Sequence, residues 1–356
     1  MMVMTPVHEL KPGIQLYNDV FTERGQLLLP KGKVLMPRDL MILKAFLVTE
    51  IDNERPLPPL AAEMPVILET TIMSHPDRVA FEKVYEEMIR TLKQSFQSAL
   101  VEEIPIYKLR TGLEQLINNS KQYNILTYTP QRLKKEEYMY HNALLTGMTS
   151  YRIAKWMHLP PNEGMQVALA GLLHDIGNIR IDPDILYKPT QLEPGEVEEM
   201  RRHTRYGYDL LKNVKGINEG VKLAALQHHE KVDGSGYPLR LEQSQIHIYA
   251  KIVAVADIFH AMTLSKNYRQ AQSPYLVLEQ LETESFGKLD PAVVTTFIRK
   301  VTQFHNGAKV RLNNGSVGRI VFSDRDHPTR PMVAVGEIIY NLIENRQLHI
   351  QSVVQR

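Results

Sequence analysis

The sequence predicts a mainly α-helical protein, in which an all-helical domain lies between a small N-terminal α/β module and a small C-terminal β module. Three observations lead to this fold class. The middle of the chain repeats apolar residues at helical spacing with almost no strand pattern. Both ends instead alternate apolar and polar residues around short turns. A Pro-rich stretch separates the first of these modules from the helices.

The predicted N-terminal module covers residues 1–55. Its stretch GIQLYNDVFTERGQLLLPKGKVL predicts short strands with turns at Gly25 and Pro30. A short helix is predicted at about residues 37–47, and the Pro-rich linker occupies residues 56–74.

The predicted helical domain covers residues 75–304, and its chemistry lies between about 130 and 290. Its first helix is indicated by apolar residues at i, i+3, i+4 and i+7 spacing, namely Phe81, Val84, Tyr85, Met88, Leu92, Phe96 and Leu100. Further helices are predicted at about residues 110–120, 134–158, 164–176, 195–213, 217–229, 247–265 and 274–285. The predicted C-terminal module, residues 305–356, alternates around turns at Asn314-Gly315 and His327-Pro328.

The composition is that of an ordinary globular protein and excludes several kinds of site. Charged residues make up 23% of the 356 residues and apolar residues 43%, and the formal net charge is +2. That charge is too small to predict binding to DNA, RNA or a membrane surface. The chain has no cysteine, which excludes disulfides, thiolate nucleophiles and Cys-zinc sites. Without a signal-peptide pattern or an apolar run of membrane-spanning length, we expect a soluble, cytoplasmic protein.

Histidines and carboxylates recur in the helical domain where predicted helices end. His174-Asp175, in the run AGLLHDIGNI, ends one predicted helix, His203 lies in a second, His228-His229 ends a third and Asp257 lies in a fourth. A single buried histidine is most often a satisfied core residue, but that reading does not explain the joint pattern. Imidazoles and carboxylates without thiols suit iron, manganese or similar divalent ions. Two such ions bridged by a carboxylate would bind a hydroxide and clamp a phosphoryl group, which indicates metal-assisted phosphoester hydrolysis.

The residues His174-Asp175-Ile-Gly, His203, the run HHEKVDGSGYP at 228–238 and Asp257 resemble the HD-GYP branch of the HD-domain metal-dependent phosphohydrolases. The resemblance covers roughly residues 130–290, and the HHE and DGSGYP letters are its most specific part. It implies hydrolysis of the bacterial second messenger cyclic di-GMP to the linear dinucleotide or GMP, with His174 and Asp175 at the catalytic centre. It also implies two, or three, divalent metal ions, with iron or manganese preferred, held by His174, Asp175, His203, His228, His229 and Asp257.

The resemblance further implies four substrate contacts. Two glycines in the loop at 234–238 allow close backbone approach to a ligand, and Pro238 stiffens its exit. Gly236 and Tyr237 are therefore expected beside the substrate, with a plain tight turn as the alternative. Lys266 and Arg269 resemble the family's cationic pair that meets the phosphates, with a solvated helix end as the alternative. The implied partner is a cyclic dinucleotide, and a homodimer or a signalling-protein partner is left open.

Four departures from the family pattern bear on activity. Asn178 stands where the family has Lys, so a phosphate contact there carries no charge. Lys266 replaces the Arg that usually begins the cationic pair and lacks its bidentate fork. His260 stands where the family often has Asp. The fourth departure concerns a further His that HD domains supply from an upstream helix.

Counting back from His174 without gaps places Asn142 at the position of that upstream His. A one-residue slip would instead bring His141 to the metals, with Glu137 one turn earlier, as in the three-metal type of the family. Adjacent helix positions differ by about 100°, so both residues cannot face the metals. We favour the ungapped register, in which Asn142 is a weak ligand or none and one metal is bound less tightly.

The sequence leaves three functions open. The first is an active cyclic di-GMP phosphodiesterase, which the six intact ligand positions favour. The second is a catalytically weak or inactive relative that acts as a nucleotide-binding sensor or scaffold, which Asn178, Asn142 and His260 favour. The third is an HD phosphohydrolase for another phosphorylated substrate. We predict the first and keep the second as the alternative.

Overall fold

The computed structural model describes residues 3–7, 10–22, 27–46, 48–53, 75–120, 123–130, 133–265, 271–303 and 307–354. Helices dominate these residues, which confirms the predicted mainly α class. The helices are α1 (Pro37–Ala45), α2 (His75–Ser98), α3 (Ile106–Asn118), α4 (Tyr138–Trp156), α5 (Pro161–Leu173), α6 (Pro183–Leu186), α7 (Pro194–Arg201), α8 (His203–Leu211), α9 (Glu219–Gln227), α10 (Ile248–Thr263), α11 (Pro274–Glu284) and α12 (Pro291–Gln303). The strands are β1 (Val3–Pro6), β2 (Val20–Phe21), β3 (Leu27–Leu29), β4 (Glu50–Asn53), β5 (Lys309–Leu312), β6 (Val317–Phe322), β7 (Met332–Val335), β8 (Ile338–Asn341) and β9 (Ile350–Val353).

The apolar face predicted for the first long helix is the buried face of α2. Its fully buried members include Phe81, Tyr85, Leu92 and Phe96, which join the main hydrophobic core. Leu100 is an exception, because α2 ends at Ser98 and the Leu100 side chain is 53% exposed. The helical period therefore identifies the buried face of α2 correctly but extends the predicted helix beyond its last residue.

Two glycines let α4 and α5 pack closely. A Cβ atom on Gly171 would lie 2.8 Å from the Cα of Gly147, and one on Gly147 would lie 2.9 Å from the carbonyl oxygen of Ala168. Both distances are shorter than ordinary van der Waals contact, so neither position accommodates a side chain at this spacing. Helices α9 and α10 pack against this pair, and α8 packs against α9. The ends of α5 and α9 and the start of α8 therefore meet beside α10.

The N-terminal module consists of two small antiparallel strand pairs beside α1. Strand β1 pairs with β4, with Pro6 opposite Glu50, and β2 pairs with β3. The module has its own apolar core, made of Val7, Leu10, Leu16, Leu29, Leu35, Leu43 and Ile51. The predicted turn at Gly25 and the predicted linker at 56–74 lie outside the described residues.

The C-terminal strands form one antiparallel sheet in the order β8-β7-β6-β5-β9. The predicted Asn314-Gly315 turn joins β5 and β6, and Gly315 adopts a φ of +86° that favours glycine. Arg330 holds the sheet on α11, because its guanidinium donates to Glu279 Oε2 at 2.7 Å and to the carbonyl oxygen of Leu348 at 2.9 Å. The rings of Phe46 and Phe322 pack edge to face with centroids 4.7 Å apart, so the two terminal modules touch.

The segment predicted as one helix at 195–213 is two helices, α7 and α8, with a break at Arg202. Apolar spacing did not reveal the break, because Arg202 keeps a right-handed helical conformation and the periodicity is similar on both sides of it. The short α6 and the amphipathic α12 were not predicted. The predicted domain boundaries stay predictions. Within the described ranges, no helix combines the length and apolar character needed to cross a bilayer.

Candidate metal centre

Four segments bring polar side chains to one point between the helices. His174 and Asp175 follow the last residue of α5, and His203 is the first residue of α8. His228 and His229 follow α9, and Asp257 projects from the middle of α10. The imidazoles of His174, His203 and His228 are buried. The structure therefore gathers all six residues that the sequence analysis named as metal ligands.

Three of the imidazoles are anchored in the same way. The Nδ1–H groups of His174 and His203 donate to backbone carbonyl oxygens three residues earlier, at 2.7 Å and 2.6 Å. The Nδ1–H of His228 faces two carbonyl oxygens of the preceding helical turn, each at 3.1 Å. A carbonyl oxygen only accepts, so Nδ1 carries the proton in each neutral ring and Nε2 keeps a lone pair. Metal-binding histidines are commonly oriented by such hydrogen bonds on the far ring nitrogen.

The carboxylate of Asp175 divides the centre into two groups of donors. Its Oδ1 lies 3.4 Å from His203 Nε2 and 3.6 Å from His228 Nε2. Its Oδ2 lies 3.5 Å from His174 Nε2, which is also 3.4 Å from Oδ1 of Asp257. In the first group, ligand atoms of Asp175, His203, His228 and His229 all lie within 4.8 Å of one another. One carboxylate therefore faces two sets of nitrogen and oxygen donors.

The hydrogen bonding of this centre is incomplete without a cation. The Nε2 atoms of His203 and His228 face each other at 3.3 Å, although both carry lone pairs when the Nδ1–H groups are engaged. The Nε2 of His174 is buried and makes no hydrogen bond to the described residues. Buried polar atoms without partners cost free energy, and a divalent ion or a proton supplies what they lack. Imidazole and carboxylate donors together fit a divalent metal ion.

The electrostatics of the centre favour bound positive charge. Burial would lower the pKa of His174, but the carboxylates of Asp175 and Asp257 outweigh it and raise the pKa to about 9. Burial would raise the pKa values of both carboxyls, yet the surrounding imidazoles hold them well below their usual range. Burial and neighbouring imidazoles lower the pKa values of His203 and His229. These two rings are therefore neutral near pH 7 and free to ligate a metal.

A glycine sets how closely α8 approaches this centre. A Cβ atom on Gly177 would lie 1.9 Å from the carbonyl oxygen of His203 and 2.5 Å from the backbone nitrogen of Gly207. No side chain fits in that space. Gly177 therefore lets the turn that carries His174 and Asp175 sit directly against the start of α8, which positions His203.

The loop after α9 is held by Glu230, which the sequence reasoning did not single out. The Glu230 carboxylate is buried and accepts hydrogen bonds from the N–H groups of Leu239 at 2.6 Å and Leu241 at 3.0 Å. A Cβ atom on Gly236 would lie 2.3 Å from the backbone nitrogen of Lys231, so the loop folds back on its own start. The available signal was an acidic residue directly after two predicted ligands, at the start of a Gly- and Pro-containing loop.

Tyr237 lies on the edge of the centre. Its ring stacks on His229 with centroids 4.8 Å apart and an interplanar angle of 26°. Burial and the nearby carboxylates of Asp175 and Asp257 raise the pKa of its hydroxyl. The hydroxyl is therefore protonated near pH 7 and can donate a hydrogen bond. Arg201, a second residue that the sequence reasoning missed, places its guanidinium carbon 5.2 Å from the same ring centroid.

The structure distinguishes the two possible registers of α4. The side-chain amide of Asn142 donates to Asp257 Oδ1 at 2.6 Å, so Asn142 lies beside the centre. His141 instead bonds through Nδ1 to the hydroxyl of Tyr85 on α2, at 2.9 Å. This is the geometry of the ungapped register. Glu137, which belonged to the alternative, pairs with Lys93 at 3.0 Å.

The other departures from the family pattern lie in different surroundings. Asn178 is buried, and its Oδ1 has no hydrogen-bond partner within the described ranges. The Nε2 of His260 lies 2.7 Å from the hydroxyl of Thr149, and burial lowers the pKa of this imidazole to about 3. Lys266 and Arg269 lie outside the described residues, so their roles stay predictions.

Comparisons with known proteins identify the domain that carries this site. A family model described as "HD domain" matches residues 120–293. A cyclic di-GMP phosphodiesterase of Pseudomonas aeruginosa is 34% identical over 191 residues, which cover 53% of this chain and 46% of that protein. The 3'3'-cGAMP-specific phosphodiesterase 2 of Vibrio cholerae is 32% identical over 154 residues, which cover 43% of this chain and 30% of that protein. The chain thus spans less than half the length of either relative.

The fold and the site define an HD domain with a cluster of His and Asp residues that could bind metal. Residues 120–293 match the HD-domain family model, and their motifs resemble those of the HD-GYP type. A solved structure of an HDG"Y"P protein from Bdellovibrio bacteriovorus has a TM-score of 0.50 and 13% identity, covering 83% of this chain and 98% of that one. At this identity the likeness concerns the fold alone, and it agrees with the mainly α architecture.

Proposed function

We propose that this chain is a metal-dependent phosphodiesterase that hydrolyses cyclic dinucleotides, with cyclic di-GMP as the first substrate to test. The proposal rests on one observation, that the two carboxylate oxygens of Asp175 face separate groups of buried donors. The two relatives, named for cyclic di-GMP and for 3'3'-cGAMP, support the substrate class.

The proposed metal ligands follow from this division. His203, His228, His229 and Asp175 Oδ1 would hold one ion, and His174, Asp257 and Asp175 Oδ2 would hold a second. Iron or manganese suits such a mixture of imidazoles and carboxylates. Two ions of this kind, when bound, supply a nucleophile at neutral pH and neutralise charge on a phosphoryl group. We propose two ions and not three, because Glu137 and His141 bond to Lys93 and Tyr85.

The remaining tasks fall to the chain's own side chains. Tyr237 is a neutral hydroxyl at the edge of the centre, so it can donate to a phosphate oxygen. Gly236 keeps the loop that carries Tyr237 folded against its own start. Lys266 and Arg269 are proposed to bind the phosphates through charge.

Metal content and turnover test the proposal together. The protein is purified, its iron and manganese are measured by mass spectrometry, and cyclic di-GMP and 3'3'-cGAMP are supplied with added iron(II) or manganese(II). We expect two ions per chain and a linear dinucleotide or mononucleotide product on chromatography. His174→Ala should abolish turnover, whereas His327→Ala, at an exposed position in the C-terminal module, should not. Metal-loaded protein that hydrolyses neither compound would refute the proposal.

One alternative has its own structural support. Asn178 places an uncharged, buried amide where the motif has Lys, and the Asn142 amide occupies an oxygen of Asp257. Both features favour a slow or inactive relative that senses a nucleotide. Stoichiometric metal and micromolar dinucleotide binding without turnover would support this alternative.

We also propose a cytoplasmic location, because the proposed substrate is an intracellular second messenger and the chain has no cysteine. A homodimer or a signalling-protein partner stays a prediction. Sedimentation of the purified chain tests the homodimer, and cell fractionation tests the cytoplasmic location.

A further inference from the structure

Arg201, a cation that the motif resemblance does not include, lies at the edge of the proposed metal centre. Arg201 is the last residue of α7, two residues before His203. Its guanidinium carbon lies 5.2 Å from the centroid of the Tyr237 ring, within the range of a cation–π contact. The same ring stacks on His229. One aromatic side chain thus contacts both a proposed metal ligand and an arginine.

We infer that Arg201 is a substrate-binding residue, which contacts a phosphate of the cyclic dinucleotide and supplies the positive charge that Asn178 lacks. This inference rests on the proposed function. A guanidinium stays protonated in proteins and offers paired N–H donors to a phosphate. Asn178 is buried and uncharged, so it cannot supply that charge from within the motif.

Arg201 is accessible to a ligand. Its side chain is 47% exposed, and its partner is Glu198 at 2.6 Å on the same helix. An exposed ion pair of this kind contributes little net free energy, so an incoming phosphodiester can replace the carboxylate. The aromatic face of Tyr237 meanwhile limits the directions in which the guanidinium points. Glu198 is therefore a competitor for the same cation.

The neighbouring Arg202 provides a matched control. It carries the same charge one residue along the chain, it is 61% exposed, and it pairs with Glu199 at 2.9 Å. Glu199 also accepts a hydrogen bond from the Tyr206 hydroxyl at 3.2 Å. Replacing either arginine by alanine removes one positive charge from the same surface, but only Arg201 contacts the ring of Tyr237.

The experiment measures binding and turnover of cyclic di-GMP by manganese-loaded, full-length variants whose metal content is determined first. Loss of a charged hydrogen bond predicts a rise in KM of about 10-fold or more for Arg201→Ala, with metal content unchanged. Arg201→Lys should recover part of this loss, and Arg202→Ala should stay within about 2-fold of the unsubstituted protein. Glu198→Gln should tighten binding, because it releases Arg201 from its competitor.

Four results would overturn the inference. Equal effects of Arg201→Ala and Arg202→Ala would reduce Arg201 to general surface charge. Loss of metal in Arg201→Ala, together with unchanged binding in Glu198→Gln and Arg201→Lys, would make its role structural. If the unsubstituted, metal-loaded protein neither binds nor hydrolyses the dinucleotide, the proposed function fails and the inference fails with it. If the unsubstituted protein turns over normally and Arg201→Ala does not change the turnover, the inference fails but the proposed function stands.

Discussion

Gly177→Ala tests the geometry of the metal centre without touching a proposed ligand. The new Cβ atom would lie 1.9 Å from the carbonyl oxygen of His203. Carbon–oxygen contacts are ordinarily at least about 3.3 Å, so the start of α8 must move away by roughly 1.4 Å. Metal ligands tolerate deviations of only about 0.2 Å. The displacement therefore carries His203 out of range of a metal that stays on Asp175.

The expected effects are a loss of stability and a loss of metal affinity. Overpacking of this kind costs about 1–3 kcal/mol of unfolding free energy, measured by urea unfolding of the metal-free protein. We expect manganese affinity at the centre to fall by about 10–100-fold, the range found when support of a ligand is removed. Titration calorimetry on chelator-treated protein measures this second effect.

Gly195→Ala is the matched control, because a Cβ atom there meets no heavy atom within 4 Å. Gly195 lies in α7, where alanine should be neutral or stabilise by about 0.5–1 kcal/mol. Equal numbers of bound metal ions and equal affinities in Gly177→Ala and Gly195→Ala would contradict the expected displacement of His203.

Three further outcomes are expected. Glu230→Gln should lower the unfolding free energy by about 1.5–3 kcal/mol and expose residues 231–241 to proteolysis, because an amide cannot accept from both Leu239 and Leu241; unchanged urea unfolding would contradict this. His260 has a pKa lowered from 6.5 to about 3, so stability should fall as the pH drops below 6.5, by up to about 1.4 kcal/mol per pH unit. His260→Asn should flatten that slope in urea unfolding between about pH 7.5 and 4.5, and an equally steep slope would assign the effect to other groups. Manganese at 100 times its dissociation constant should stabilise the folded protein by about 2.7 kcal/mol, reversed by chelation and reduced in His203→Ala; a melting temperature indifferent to manganese would argue against a preformed site.

The sequence predicted the residues of the candidate site better than the residues that hold them in place. His174, Asp175 and Asp257 stand out because charged or imidazole side chains interrupt apolar helical runs. The position of Asn142 followed from the motif spacing, counted back without gaps from His174 across α5 and into α4. Glu230 was recognised only as a letter of the HHE motif, and its role was missed because its partners are backbone N–H groups, which the side-chain pattern does not identify.

Other parts of the structure depend on contacts between segments that are distant in the chain. Arg201 could not be placed beside Tyr237 until α7, α8 and the loop after α9 were packed together. The sequence could not show that the two oxygens of Asp175 face different groups of donors, because the orientation of its carboxylate depends on three helices. The contact of Phe46 with Phe322 joins the two ends of the chain and has no local signal.

Local periodicity and motif spacing are thus enough to predict the mainly α class, most helices of the central domain and the residue types at its centre. Both are short-range properties, because hydrophobic repeats and helix ends are written in neighbouring residues. The distances within the candidate metal centre depend on close packing at Gly147, Gly171 and Gly177, where the absence of a Cβ lets backbones touch. A glycine in the sequence shows only that close backbone approach is possible there, and the tertiary structure determines which segment approaches it.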